Sequence, residues 1–157
     1  MKEKARRFLE GPRLDAFSKV TGRERYAADE YSKEFFWAGA KRALIPHARL
    51  NAVHTTRAAA HPGVLRVLTF RDVGGSNRLG IVRNHQPVLV DEFIRHAGDA
   101  VALVVARSRE ALHEALDLIT FDHEPLPGVF DPEEALKDGA PRVHEDNEEG
   151  NLVRAVR

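Results

Sequence analysis

The chain has 157 residues, 43% of them apolar and 31% charged, with no cysteine and with 24 basic residues balanced by 24 acidic ones. Disulfides, iron–sulfur ligation and cysteine-based zinc sites within the chain are therefore excluded, and no net positive field draws it to nucleic acid or to an anionic membrane. A chain of this size can bury one real core, so one domain is the expectation, and net neutrality favours association with a partner surface.

Met1 to Pro12 is basic at its start and stops at Gly11-Pro12, a frayed arm or short helix within an N-terminal arm over residues 1–16. Arg6 and Arg7 in it read as solvated charge. The first residues are charged and lack the apolar stretch of a signal peptide. No apolar run approaches the ~18 residues of a membrane span, so the expected location is the cytoplasm.

Thr21-Gly22 marks a turn, and Tyr26 to Asp29 reads as a short extended piece. The aromatic start of the stretch from Phe35 to Ala43, with Gly39 at its centre, suits a strand that a neighbour approaches closely. Ile45-Pro46 breaks it. Imperfect alternation from Ala48 to His54 predicts a half-buried strand. Thr55-Thr56 can cap a short helix, Arg57 to His61, which Pro62-Gly63 ends. Val64 to Phe70 is β-branched and apolar, a strand, and Gly74 to Asn77 is a loop by composition. Short extended pieces follow around Ile81-Val82, Val88 to Val90 and Phe93 to Arg95.

The clearest pattern runs from Asp91 to Leu136 and reads as a strand–helix–strand unit. The unbroken apolar run from Ala100 to Ala106 predicts a strand buried on both faces. Ser108 stands at a helix N-cap, and Ala111, Leu112, Ala115, Leu116 and Ile119 form one apolar stripe of a helix from Arg109 to Leu118. Ile119 to His123 alternates like a strand that exits at Glu124-Pro125. Asp131, Pro132, Glu133 and Glu134 supply an N-cap, a proline at the first helical position and first-turn acids, so a short helix should run through Leu136 and stop near Gly139. The segment from His144 to Arg157 opens acidic and resumes apolar patterning at Leu152-Val153.

The candidate chemistry is thin. His47, His54 and His61 recur every seven residues, but Pro46, Pro62 and the strand pattern between them forbid one helix, and no HExxH pair exists. Gly74 to Gly80 is glycine-rich, yet an extended piece follows it where a phosphate cradle needs a helix N-terminus. Ser18, Ser32 and Ser76 lack a nucleophile's context, and the pairs Asp29-Glu30, Asp91-Glu92 and Glu133-Glu134 read as solvated charge. Trp37 with the two phenylalanines before it reads as core or interface ahead of a stacking platform for a planar ligand.

Six segments taken in order resemble a known family: TGRERYAADE at 21–30, PHARL at 46–50, HPGVLRVLTFRDV at 61–73, GSNRLG at 75–80, HAGDAVALVVARSREA at 96–111 and HEPLPGVFDPEEAL at 123–136. Together they resemble the α/β-hammerhead domain at the N-terminus of the large subunit of the xanthine dehydrogenase and aldehyde oxidase family. The resemblance implies an α+β fold, a hammerhead with a mixed β-sheet and two to three helices over residues 17–144, and a linker over 145–157 toward a cofactor-binding domain. It implies an oxidoreductase of the molybdenum hydroxylase type whose molybdopterin, iron–sulfur clusters and FAD are held outside this chain. The family's glycine- and glutamine-containing pterin loops and its glutamate base belong to later domains and are missing from this sequence. No catalytic, cofactor-binding or metal residue is therefore expected here. The segment after the GSN-type loop borders substrate access in that family, which falls on Ile81, Val82, Arg83 and Asn84.

The reading that follows is a non-catalytic structural domain or split subunit that docks on a molybdopterin-binding domain or subunit and an iron–sulfur subunit, with a homodimer as the other arrangement. Two rivals remain at this stage. One is a stand-alone binding module that reuses the hammerhead fold. The other is a small hydrolase built on His123 and Glu124.

Overall fold

The computed structural model of the chain describes residues 13–30, 32, 34–81, 83–147 and 150–152. The chain divides into two compact units, residues 1–35 and 36–157. Most of the arm expected over residues 1–16, with Arg6 and Arg7, lies outside the described residues, as do Val82, Val153 and most of the expected linker.

In the first unit a helix of five residues, α1 (Ala16–Val20), is tied at its start by Asp15, which pairs with Arg13 at 2.8 Å and with Lys19. Hydrogen bonds from Lys19 and Arg13 pull the Asp15 carboxyl down to about 2. Gly22, at φ 68, supplies the left-handed turn that follows. Tyr26 to Asp29 is not extended as its composition suggests. The Asp29 carboxylate accepts the Tyr26 N–H at 2.8 Å and folds Ala27–Glu30 into a 3₁₀ turn, a local bond that competes with strand formation.

Among its described residues the second unit holds eight strands: β1 (Trp37–Arg42), β2 (Ala48–His54), β3 (Val64–Leu68), β4 (Arg78–Leu79), β5 (Gln86–Pro87), β6 (Phe93–Ile94), β7 (Ala100–Ala106) and β8 (Thr120–Pro125). Three helices join them: α2 (Thr56–Ala59), α3 (Arg109–Leu118) and α4 (Pro132–Ala135). The strands form sheets ordered β1-β7-β3 and β6-β2-β8 and a small β4-β5 pair, and every described pairing is antiparallel.

The strand–helix–strand order from Asp91 onward holds, but β7 and β8 lie in different sheets. Helix α3 is thus a bridge from one sheet to the other, not a crossover within a parallel sheet. Its apolar stripe explains the placement. Ala111, Leu112 and Ala115, with Ile119 just beyond, pack on Ala102, Val104 and Ala106 of β7 and on Ala58 of α2. Leu112 lies over Gly39 of β1, where a Cβ would meet its Cδ2 at 3.1 Å. This is the close approach that a glycine in the strand foretold.

The second core gathers Ala43, Ala48, Leu50, Val90, Ile94 and Val101. Successive side chains of a strand point to opposite faces, so β7 sends Val101 to this core and Ala102, Val104 and Ala106 to the other. Burial on both faces, read from the unbroken apolar run, is met only in part, since on the face opposite α3 Val101 is buried while Leu103 and Val105 are half-buried.

Some boundaries differ from expectation. The strand over Val64 to Phe70 ends at Leu68, because the Asp72 carboxylate accepts the Thr69 N–H at 2.8 Å and opens a 3₁₀ turn at Phe70–Asp72. Helix α2 starts at Thr56, and the Thr55 side chain makes no cap bond. In place of strands at Ile81-Val82 and Val88 to Val90, the short strands are β4 and β5, and Asn77 stands in for a strand neighbour. Its amide donates to the Leu89 carbonyl at 2.8 Å and accepts the Leu89 N–H at 3.1 Å.

Candidate functional site

The loop between β4 and β5 carries the substrate-access residues expected from the sequence. Gly80 lets it fold tightly, since a Cβ there would lie 1.7 Å from the Arg83 carbonyl oxygen. Ile81 is fully exposed and Asn84 is exposed, whereas Arg83 turns to the C-terminal segment and donates to the Asn147 side-chain carbonyl at 2.7 Å. Asn147 is buried because its own amide is used, donating to the carbonyls of Gly150 at 2.6 Å and Leu152 at 3.1 Å. Val82 lies outside the described residues. Ile81 and Asn84 thus stay free at the loop surface, while Arg83 fastens the loop.

A different cluster forms around the turn between β6 and β7. Asp99, 5% exposed, accepts the backbone N–H of Arg95 at 2.7 Å and of His96 at 3.2 Å, and pairs through its other oxygen with the His96 Nε2 at 2.9 Å. The Gly98 N–H donates to the His96 Nδ1 at 3.0 Å, so the neutral ring carries its proton on Nε2. Arg95 crosses to the C-terminal segment, its Nε donating to the Val143 carbonyl at 3.0 Å.

Two small clefts share Arg95, His96 and Val143. One, of about 220 Å³, adds His47, Phe130 and Arg142. The other, of about 240 Å³, adds His85 and His144. The His85 and His144 rings meet edge to face with centroids 4.1 Å apart. Burial, then the charges of His85 and Arg95, push the His144 imidazole below its ordinary value. Neither His96 nor Asp99 is singled out in the sequence analysis. The available signal was the His-x-x-Asp spacing at residues 96–99, which brings imidazole and carboxylate together in one tight turn.

The remaining candidates are dispersed. His54 pairs with Asp122 at 2.8 Å and His61 with Glu114 at 2.9 Å, and the His47 Nδ1 donates to the Pro127 carbonyl at 2.7 Å. The sevenfold spacing therefore brings no two of them together. His123 and Glu124 are successive residues of β8 and project from opposite faces, which removes the basis for a His–carboxylate hydrolase. Asp91 and Glu92 divide in the same way: Asp91 pairs with Arg78 at 2.7 Å and Glu92 with Arg49 at 3.3 Å. Burial works to raise the Asp91 carboxyl, but the Arg78 hydrogen bond and charge outweigh it and hold it low. Trp37 packs against the core under α3, with the Arg109 guanidinium 6.0 Å from its ring centroid. Phe36 is exposed.

These residues do not fit a pterin cofactor. The glycine-rich stretch at 74–80 leads into β4, so no helix N-terminus turns its N–H groups toward a phosphate there. No described helix is long and apolar enough to cross a membrane.

Residues 21–127 match the family described as aldehyde oxidase and xanthine dehydrogenase, a/b hammerhead domain. The nicotinate dehydrogenase large molybdopterin subunit of Eubacterium barkeri is 39% identical over 134 residues, which are 85% of this chain and 32% of that protein. The xanthine dehydrogenase molybdenum-binding subunit of Escherichia coli O157:H7 is 33% identical over 152 residues, 90% of this chain and 20% of that one. Among solved structures, the aldehyde oxidoreductase of Desulfovibrio gigas superposes with a TM-score of 0.77 at 30% identity, over 86% of this chain and 16% of that one. The chain thus spans a third or less of the length of these similar proteins.

Proposed function

The chain belongs to the aldehyde oxidase and xanthine dehydrogenase a/b hammerhead domain family, and from that premise we propose that it is a non-catalytic wall of a molybdopterin-dependent oxidoreductase. As a structural domain or split subunit it docks on a molybdopterin-binding domain or subunit and an iron–sulfur subunit. The observation that carries this reading is the coverage: nearly the whole chain aligns with a minor part of large molybdenum-enzyme subunits. Exposed apolar side chains support it, among them Phe36, Leu44, Leu79, Ile81, Phe130 and Leu136, since side chains of that size in water favour a covering partner. Molybdenum, iron–sulfur and flavin chemistry then belong to the partners, and the cytoplasm is the proposed location. The loop holding Ile81, Val82, Arg83 and Asn84 is the proposed border of substrate access.

The test is reconstitution. The chain is mixed with a molybdopterin-binding fragment of a large subunit lacking its own hammerhead domain. The expected results are a stable complex on size exclusion and turnover by the mixture alone. A chain that stays monomeric, ignores the fragment and behaves as a free binding module would overturn the proposal, as would molybdenum held tightly by the chain by itself. In the complex, Ile81→Trp should raise KM for a bulky substrate and spare the smallest one. Equal kinetics for both substrates would remove the loop from the access route.

A further inference from the structure

We propose that the cleft lined by His47, Arg95, Phe130 and Arg142 is a binding site for a small carboxylate carried on a flat apolar body.

Charge is the first argument. The residues lining this cleft include two arginines and two histidines and no Asp or Glu. Among the described residues neither Arg95 nor Arg142 pairs with a carboxylate. Each is held by a neutral carbonyl, Arg95 by Val143 at 3.0 Å and Arg142 by Asn147 at 3.3 Å. A guanidinium carries five donors, so the two positioned heads keep unused N–H groups, with the Arg95 head also lying 5.4 Å from the Phe93 ring centroid. Planar N–H pairs of this kind match the two oxygens of a carboxylate.

Asp99, the acid of the adjoining turn, does not compete. Both Asp99 oxygens are already engaged with the β6–β7 turn and the His96 ring, and the residue is buried. His47 is held at the cleft by its Nδ1, which donates to the Pro127 carbonyl at 2.7 Å.

Shape is the second argument. The rest of the lining is apolar, with Pro46, Val129, Val143 and Phe130, and the Phe130 side chain is 82% exposed. An aromatic face left in water beside cationic groups suits a ligand with a ring at one end and an anion at the other. At about 220 Å³ the cleft is smaller than the ~300–1,000 Å³ of sites for drug-sized ligands, which limits the occupant to about one ring and its carboxylate.

The experiment is an NMR titration of the full isotope-labelled chain with benzoate, against benzamide, acetate and inorganic phosphate. Benzoate should move the amides of Ala97 and Val143 and the ring signals of His47 saturably. Benzamide lacks the charge, and acetate and phosphate lack the ring, so each should bind about tenfold more weakly or worse. Arg142→Gln should weaken benzoate about tenfold, with Arg142→Lys in between. Should Arg142→Gln unfold, Phe130→Ala at an exposed position decides the matter, because it must weaken benzoate and leave acetate unchanged. No saturable benzoate response overturns the proposal. So does phosphate or benzamide binding as tightly as benzoate. Reconstitution with a molybdopterin-binding partner is read separately, so either result can fail without the other.

Discussion

At the scale of single residues, side chains complete what the backbone leaves open. Ser108 accepts the Ala111 N–H at 3.1 Å, and Asp131 accepts the N–H groups of Glu133 at 2.8 Å and Glu134 at 3.0 Å. Ser108→Ala should therefore cost about 1 kcal/mol, read as a lower urea midpoint with unchanged m-value. These caps were legible in the sequence because a cap and its helix are neighbours in the chain. Asn77 and Asn151 were not legible, since each bonds backbone brought near by folding of the intervening chain. Asn151, for instance, donates to the carbonyls of Ala135 and Pro141, both at 2.9 Å. His144 was equally hidden, and it makes the fold sensitive to acid. Burial favours its neutral form in the folded state, so its folded value lies below the ordinary 6.5. Its contribution to stability is fully present above the unfolded value and is lost as the pH falls through that value toward the folded one. Unfolding midpoints should therefore drop between about pH 7.5 and about pH 5.5, and His144→Gln should flatten that slope. An equal slope in the variant would assign the effect to other groups.

At the scale of elements, α3 organises the second unit. Its apolar stripe, its cap and its flanking strands were all readable, because each is a periodicity confined to a short window. The sheet to which each strand belongs was not readable, since β7 and β8 carry no mark of their partners. Short strands were read least well. At β4 and β5 two residues carry no usable alternation, and the pairing depends on Gly80 and Asn77 more than on apolar pattern. The residues expected by resemblance to border substrate access fall in one loop, where Ile81 and Asn84 are exposed and Arg83 bonds Asn147. The Arg95–Arg142 cleft escaped notice because its lining comes from four distant stretches of chain. Close packing between elements gives a sharp test. A Cβ on Gly63 would lie 2.4 Å from the Ala111 Cβ, so Gly63→Ala should destabilise by about 1–3 kcal/mol through overpacking. Adding Ala111→Gly should recover part of that loss, beyond the roughly 1 kcal/mol that glycine itself costs in a helix. Purely additive losses in a double-mutant cycle would place the strain elsewhere.

At the scale of the whole molecule, several large apolar side chains of the described residues stand exposed, among them Phe36, Leu44 and Ile81. The described chemistry-bearing side chains are mostly engaged in fastening turns and loops. The family reading was legible because six weak motifs recur in order, a property of the sequence as a whole that no single motif carries. The placement of β7 has one further consequence. Val101 belongs to one core while Ala102, Val104 and Ala106 belong to the other, so neither can melt while its neighbour survives. Calorimetry on residues 36–157 should record a single endotherm, and the slowest-exchanging amides on both sides of that shared strand should open with one common free energy.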